Sequence, residues 1–166
     1  PRLYNHLLAD ALRHGLQHNA RAFTSEAYPN WGLEASRLWI TAKLLWDPYL
    51  DPDALLHDYC IHAFGAAAPA MEAAFRVAER AWTDPRNPPF KNWFDIGIGD
   101  PRQLRPYTPR VVAEIQSHFA AARAAATDPE IRARVEFFGQ CWDMLGLLTS
   151  SYAGMQQLQS GASVRD

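Results

Sequence analysis

The spacing of hydrophobic residues predicts a mainly helical chain. Over residues 2–18, apolar side chains recur at helical spacing on one face, and polar side chains occupy the opposite face. The apolar stripe consists of Leu3, Leu7, Leu8, Ala11, Leu12 and Leu16, and the polar face carries Arg2, His6, Arg13 and Gln17. Residues 21–25 then change period, so the pattern predicts a helix followed by a short strand.

The next predicted helix, residues 33–46, is apolar on two sides. One broad face carries Leu38, Trp39, Ala42, Leu45 and Trp46, and nearly opposite lie Leu33, Ile40 and Leu44. A surface helix has a single apolar stripe, whereas a helix that is apolar on two sides is packed on two sides. We therefore expect a layer of structure over each face of this helix.

Cap residues indicate where the later helices begin and end. An Asp at the N-cap followed by Pro at the first helical position is a strong start signal, which places helix starts at Asp51 and Asp128. Thr108, followed by Pro109, predicts a third start, and Gly65 is a good C-terminal cap for the helix from Asp51. A further helix is expected from residue 67 or 68 to Trp82. The chain then ends in a helical hairpin with two facing stripes, which are Val111, Val112, Ile115, Phe119 and Ala122 on one helix and Ile131, Val135, Phe138, Trp142 and Leu145 on the other.

Two segments lack a clear helical period. Residues 83–107 are rich in proline and aromatic residues, and loops of this length are usually functional or disordered. The aromatic residues argue against disorder, so we expect an ordered loop pinned to a surface. Beyond about Tyr152 the sequence turns polar, and we expect the tail, Gln156 to Asp166, to fray.

Composition narrows the functional classes. The chain has 166 residues and a net charge of -2, which gives no electrostatic case for binding nucleic acid or an anionic membrane. No apolar run reaches the ~18 residues of a membrane span. Because the chain opens on Pro1 and its first residues already read as helix, we expect it to be cut from something longer.

Cys60 and Cys141 are flanked by apolar residues and are expected to be two buried thiols, with a disulfide as the alternative.

Glu26 has the setting most typical of a catalytic carboxylate. It closes the predicted strand and precedes a turn that contains Tyr28 and Trp31. In β/α barrels, catalytic groups stand at the C-terminal ends of strands. Glu26 is therefore a candidate acid, base or sugar ligand, with Tyr28 and Trp31 as a platform for a sugar face. A surface or capping carboxylate, and ordinary aromatic packing, are the alternatives.

A second catalytic carboxylate is not evident. Glycoside hydrolysis usually needs two, about 5–5.5 Å apart for retention or about 6.5–9.5 Å for inversion. Asp47, Asp51 and Asp53 lie a whole helix away and are better explained as turn and cap residues, and the long loop holds Asp95 and Asp100. We therefore expect a partner for Glu26 upstream of this chain.

Histidine positions give no catalytic or metal site. The spacing of His14 and His18 can bind a metal, but no third ligand is evident, so a packed pair is expected. His62 follows Asp58 by one helical turn and is predicted to pair with it, and His57 is predicted to face solvent. No glycine-rich phosphate loop or nucleophile elbow is present, and no cofactor or metal is expected.

The segment from Glu26 to Met71 resembles a bacterial glycoside-hydrolase-like domain family of unknown function. That family looks related to the barrel glycosidases that include α-glucuronidases and β-hexosaminidases. The matching elements are Glu26, Tyr28, Trp31, the run Lys43 to Pro48, Asp51, Asp53, Gly65, Ala67, Ala68 and Met71. The terminal hairpin, with Arg134 and Val135, is also similar, and the long loop 83–107 is the weakest part. The resemblance implies that residues 1–47 end a (β/α)8 barrel, that residues 48–152 form a helical domain, and that residues 153–166 are a polar tail.

The expected fold is mainly α, with about six helices and one or two short strands, the last unit of a (β/α)8 barrel followed by a helical domain. The expected function is the C-terminal portion of a bacterial glycoside hydrolase that acts on oligo- or polysaccharide and is inactive alone. Its expected partners are carbohydrate and the upstream barrel, with no nucleic acid and no membrane, and with self-association if the chain stands alone. The resemblance favours a periplasmic or extracellular location. The alternatives are a non-catalytic helical scaffold or interaction domain, and a carbohydrate-binding module.

Overall fold

A computed structural model describes residues 2–25, 30–86, 101–159 and 161, and this part of the chain is all-helical. The helices are α1 (Asn5–Gln17), α2 (Trp31–Trp46), α3 (Pro52–Phe64), α4 (Ala68–Thr83), α5 (Pro109–Ala125) and α6 (Pro129–Gln159). Two short 3-10 helices, Gly65–Ala67 and Pro101–Leu104, precede α4 and α5 respectively. The described residues contain no strand, so the predicted fold class is wrong: they do not form the last unit of a β/α barrel.

The predicted strand at residues 21–25 is an exposed, irregular segment. A strand needs a neighbouring strand to pair its backbone N–H and C=O groups, and no described segment supplies one. The short alternating pattern of these residues was therefore insufficient to fix a strand.

Helix α2 is packed on one of its two apolar faces and open on part of the other. Ile40 and Leu44 are fully buried, as the pattern predicted. On the other face, the exposed fractions of Leu45 and Trp46 are 47% and 91%. No barrel layer covers this face, and Trp39 packs instead on Tyr59 of α3, with ring centroids 5.7 Å apart.

The predicted helix starts are confirmed by their capping bonds. The Asp51 carboxylate accepts from the backbone N–H of Asp53 at 3.0 Å, and the Thr108 hydroxyl accepts from Val111 at 3.4 Å. Asp128 accepts from the first backbone N–H groups of α6 at 2.9 and 3.0 Å. Gly65 has a φ of +50°, which favours glycine at the end of α3.

The prediction that the tail, Gln156 to Asp166, frays is wrong for residues 156–159, since α6 continues to Gln159. The added turns consist largely of Gln, Leu and Met, which are good helix formers. The polar character of this stretch therefore reflects solvent contact and not loss of helix.

All six helices contribute to one hydrophobic core, which extends from Leu3 to Leu145. At its centre Phe64 packs edge-on against Phe138 with ring centroids 5.2 Å apart, and Trp142 lies 5.9 Å from Phe119. Both predicted stripes of the terminal hairpin face this core. The division at residues 47 and 152 stays a prediction. No helix in the described ranges is long and apolar enough to cross a bilayer.

Candidate functional site

A cleft of about 270 Å³ lies between the start of α2, the end of α4, residues 103–107 and α6. Its lining residues are Asn30, Leu33, Trp82, Gln103, Leu104, Tyr107, Cys141, Met144, Leu145 and Leu148. Most of the wall is aliphatic, one part is aromatic, and two side-chain amides supply hydrogen-bonding groups. This composition is typical of a small-molecule site, which is mostly apolar with a few polar groups that fix orientation.

Close packing of α2 on α6 fixes one end of the cleft. Gly32 lies against Cys141 and Phe137, and a Cβ at this position would overlap the Cys141 side chain. The indole N–H of Trp142 donates to the Gly32 carbonyl at 3.0 Å. The glycine therefore permits the approach, and the buried hydrogen bond sets the register of the two helices.

The aromatic wall of the cleft consists of Trp82 and Tyr107. Their rings are stacked, with centroids 6.4 Å apart and an interplanar angle of 28°. Tyr107 is only 2% exposed, and burial, followed by the negative charge of Glu34, raises the pKa of its hydroxyl. The hydroxyl is thus protonated and neutral at physiological pH.

The other ionisable group in the lining is also neutral. Burial raises the pKa of the Cys141 thiol above its ordinary value. Both cysteines are free thiols; Cys60 is buried, as predicted, and Cys141 is half-buried. Because no described lining residue carries a charge, the cleft is suited to an uncharged ligand.

A buried ion pair lies on α2, the helix whose first turn lines the cleft. Arg37 donates to Glu34 at 2.5 Å, and both residues are more than nine-tenths buried. Arg37 also donates to the Tyr4 hydroxyl at 3.3 Å. The pairing neutralises both charges inside the protein, where an isolated charge would be costly.

The structure describes only one of the three predicted site residues. Glu26 and Tyr28 lie outside the described residues, so their roles stay predictions. Trp31 is the first residue of α2 and is 54% exposed. It follows Asn30 of the cleft directly in sequence but is not itself a lining residue.

No pair of carboxylates lines the cleft among the described residues. Asp47 accepts from the backbone N–H of Tyr49 at 2.9 Å and Asp51 caps α3, so both are turn or cap residues as predicted. Asp95 and Asp100 lie outside the described residues. No acid and base pair of the kind that glycoside hydrolysis needs lines the cleft among the described residues.

Sequence reasoning missed a charged network that joins α1, α3 and α4. His6 lies 3.2 Å from Glu79 and 3.4 Å from Asp53, and the backbone N–H of His6 also donates to Glu79 at 3.1 Å. Arg76 pairs with Asp53 and with Glu72. The helical period predicts that His6 lies on the polar face of α1. It gives no sign that α3 and α4 supply carboxylates beside this residue.

Other histidines behave largely as predicted. The rings of His14 and His18 lie 4.0 Å apart at the end of α1, although both side chains are exposed. His62 lies 3.2 Å from Asp58, and His57, although exposed, lies 2.8 Å from Glu72. Within the described ranges, no group of three or more His, Cys, Asp or Glu residues has the geometry of a metal site.

The described residues form an α-helical fold with a cleft whose lining carries no charge. In comparison with known families, residues 1–75 match DUF4838, a domain of unknown function, so this part of the chain is similar to that family. The resemblance is thus confirmed only as similarity to a domain of unknown function, while the relation to glycoside hydrolases stays a proposal. Comparisons with curated proteins and with solved structures find no match.

Proposed function

We propose that the chain is a helical domain of a bacterial glycoside hydrolase, that it is inactive alone, and that it binds a neutral oligosaccharide in the cleft. The observation that carries the proposal is the uncharged lining, in which the half-buried Trp82 ring, backed by the buried Tyr107, occurs together with two side-chain amides. Sugars offer apolar C–H faces to aromatic rings and hydroxyl groups to amides, so this combination is suited to them.

The position of the amides supports a sugar as the ligand. Asn30 precedes α2, and its side chain makes no capping hydrogen bond. Gln103 accepts from Arg2 at 3.3 Å through its carbonyl oxygen, which directs its amide nitrogen to other acceptors. A volume of about 270 Å³ accommodates a single sugar ring, so the rest of an oligosaccharide would extend over the surface near Trp31.

Titration with neutral oligosaccharides tests the proposal. Xylo-, cello- and chito-oligosaccharides would be added to the 166-residue chain, with binding followed by calorimetry and tryptophan fluorescence. We expect Asn30→Ala and Trp31→Ala each to weaken binding about two- to tenfold, because each removes one hydrogen-bonding or stacking partner.

Trp46→Ala is the matched control. Trp46 ends the helix that Trp31 begins, about 22 Å away by helical rise, and it is 91% exposed. Its replacement should leave the dissociation constant unchanged. If the wild-type chain binds none of the sugars, or if the three variants weaken binding equally, the cleft is not a sugar site.

A non-catalytic interaction domain is the second candidate function. It is favoured by the exposed aromatic and aliphatic side chains at the end of α2, where Leu45, Trp46 and Tyr49 are 47%, 91% and 64% exposed. Exposed apolar clusters of this kind mark protein interaction sites. Under this hypothesis the partner is the upstream barrel of a longer protein, and Glu26 has no catalytic role.

A further inference from the structure

The C-terminal half of α6 carries an apolar row on the side of the helix opposite its buried residues, and Met144 and Leu148 of this row also line the cleft. The last buried residue of α6 is Thr149, yet the helix continues to Gln159. The exposed apolar residues of this half are Met144, Leu147, Leu148, Met155 and Leu158, which are between 49% and 71% exposed. Together they present on the order of several hundred Å² of apolar surface, a size that marks an interaction site.

The spacing of these residues is that of a coiled-coil seam. Met144, Leu148, Ser151, Met155 and Leu158 follow one another at alternating steps of four and three residues, and we call them the outer row. At 3.6 residues per turn they lie on one narrow side of α6, opposite the buried Val135 and Trp142. A seam of this period is complemented by a second helix that carries the same period.

The absence of charge along this half of α6 favours another copy of the same helix as the partner. Between Met144 and Gln159 the sequence contains no Asp, Glu, Lys, Arg or His. Foreign helices in coiled coils are selected by charges that flank the seam, and here such charges are absent. Two copies of this surface meet without like-charge repulsion and without an unpaired buried charge.

The residue sizes along the outer row favour an antiparallel arrangement. Ser151 is at the centre, and a large apolar residue lies three or four positions and seven positions to either side. An antiparallel pair centred on Ser151 would place Met144 opposite Leu158 and Leu148 opposite Met155, twice over, as two-fold symmetry requires. The small central residue lets the helix axes approach, and the helix dipoles are antiparallel.

We propose that the chain forms an antiparallel homodimer through the outer row of α6. Sedimentation equilibrium of the 166-residue chain, over roughly 1–300 µM, should show a reversible monomer–dimer equilibrium. Met155→Glu should raise the dimer dissociation constant at least about tenfold, because each dimer receives two carboxylates in its interface. Met155 lies beyond the last buried residue of α6, so the far-UV circular dichroism should be unchanged, whereas Tm should lose its dependence on protein concentration because the dimer is lost.

Gln156→Glu is the matched control, since it adds the same charge to the adjacent, off-row position and should leave the dimer intact. In a mixture of Met144→Cys and Leu158→Cys proteins, oxidation should link unlike copies. A wild-type chain that stays monomeric over this range would overturn the proposal, as would equal effects of the two glutamate variants or cross-links only between Leu158→Cys copies. Met144 and Leu148 of the outer row also line the cleft, so the sugar titration is repeated on Met155→Glu, whose altered residue does not. Sugar binding by this monomeric variant tests the cleft alone, and sedimentation of the wild-type chain without sugar tests the dimer alone.

Discussion

At the scale of single residues, the His6 side chain attaches α1 to α3 and α4 through its contacts with Asp53 and Glu79. Desolvation opposes the imidazolium, but the hydrogen bond to Glu79 and the charges of Glu79 and Asp53 outweigh it, so the pKa of His6 lies above its ordinary 6.5. A raised histidine pKa contributes stability that is complete below about pH 6.5 and is lost as the pH rises through the folded-state pKa. The attachment of α1 to α3 and α4 is therefore stronger in acid than in base.

Replacement of His6 by Gln should lower Tm by up to about 3 °C near pH 5.5, because the ion pairs are partly exposed and so are each worth under about 1 kcal/mol. The difference from wild type should shrink as the pH approaches 9, where His6 is neutral in both folded and unfolded chains. Thermal melts at several pH values measure this. His62→Gln, which removes a more exposed pair within a single helix, is the control. A difference that grows with pH would contradict the assignment.

At the scale of helices, the approach of α2 to α6 depends on the absence of a side chain at Gly32. A Cβ there would overlap the sulfur of Cys141, and the neighbouring Trp142 is held by its bond to the Gly32 carbonyl. We expect Gly32→Ala to lower the free energy of unfolding by about 1–3 kcal/mol through overpacking, despite the higher helix propensity of Ala. Urea denaturation followed by circular dichroism measures the change.

Gly154→Ala provides the matched comparison for Gly32→Ala. Gly154 lies in α6, and an added Cβ there meets no atom within 4 Å. The substitution should stabilise the chain by up to about 1 kcal/mol, since Ala is the better helix former. If both glycines responded with the same sign, close packing at Gly32 would not be the cause.

At the scale of the whole molecule, the shared core makes the described helices depend on one another. Leu3 and Ile40 belong to the same buried cluster as Phe138 and Leu145. We therefore expect one cooperative urea transition, coincident by circular dichroism and tryptophan fluorescence. Phe138→Leu should lower the free energy of unfolding by about 1–2 kcal/mol, because it leaves a cavity beside Phe64.

Phe137→Leu is the control for Phe138→Leu, since Phe137 is the adjacent residue on α6 and is 49% exposed. Its effect should be smaller than that of Phe138→Leu. Two separate transitions, with only one of them sensitive to Phe138→Leu, would support instead the predicted domain boundary at residue 47.

Helix starts, which depend on local chemistry, could be predicted from the sequence. Strand pairing and the cleft depend on residues far apart in the chain and could not. Caps at Asp51 and Thr108 act within one helical turn, so their helix starts could be read from the chain. Residues 21–25 had a strand-like pattern, but a strand exists only with a partner, which the sequence does not display. The cleft was missed for the same reason, because Trp82 and Cys141 are brought together only by the fold.

The different burial of the two cysteines means that the rate at which each thiol reacts reports on how the protein opens. Cys60 is fully buried, and burial raises the pKa of its thiol to about 12, so the reactive thiolate is scarce at neutral pH. A thiol reagent can reach it only when the core opens. Cys141, half-buried beside the cleft, becomes accessible through smaller openings. The relative rates at which Cys141 and Cys60 are modified would thus distinguish local opening near the cleft from global unfolding.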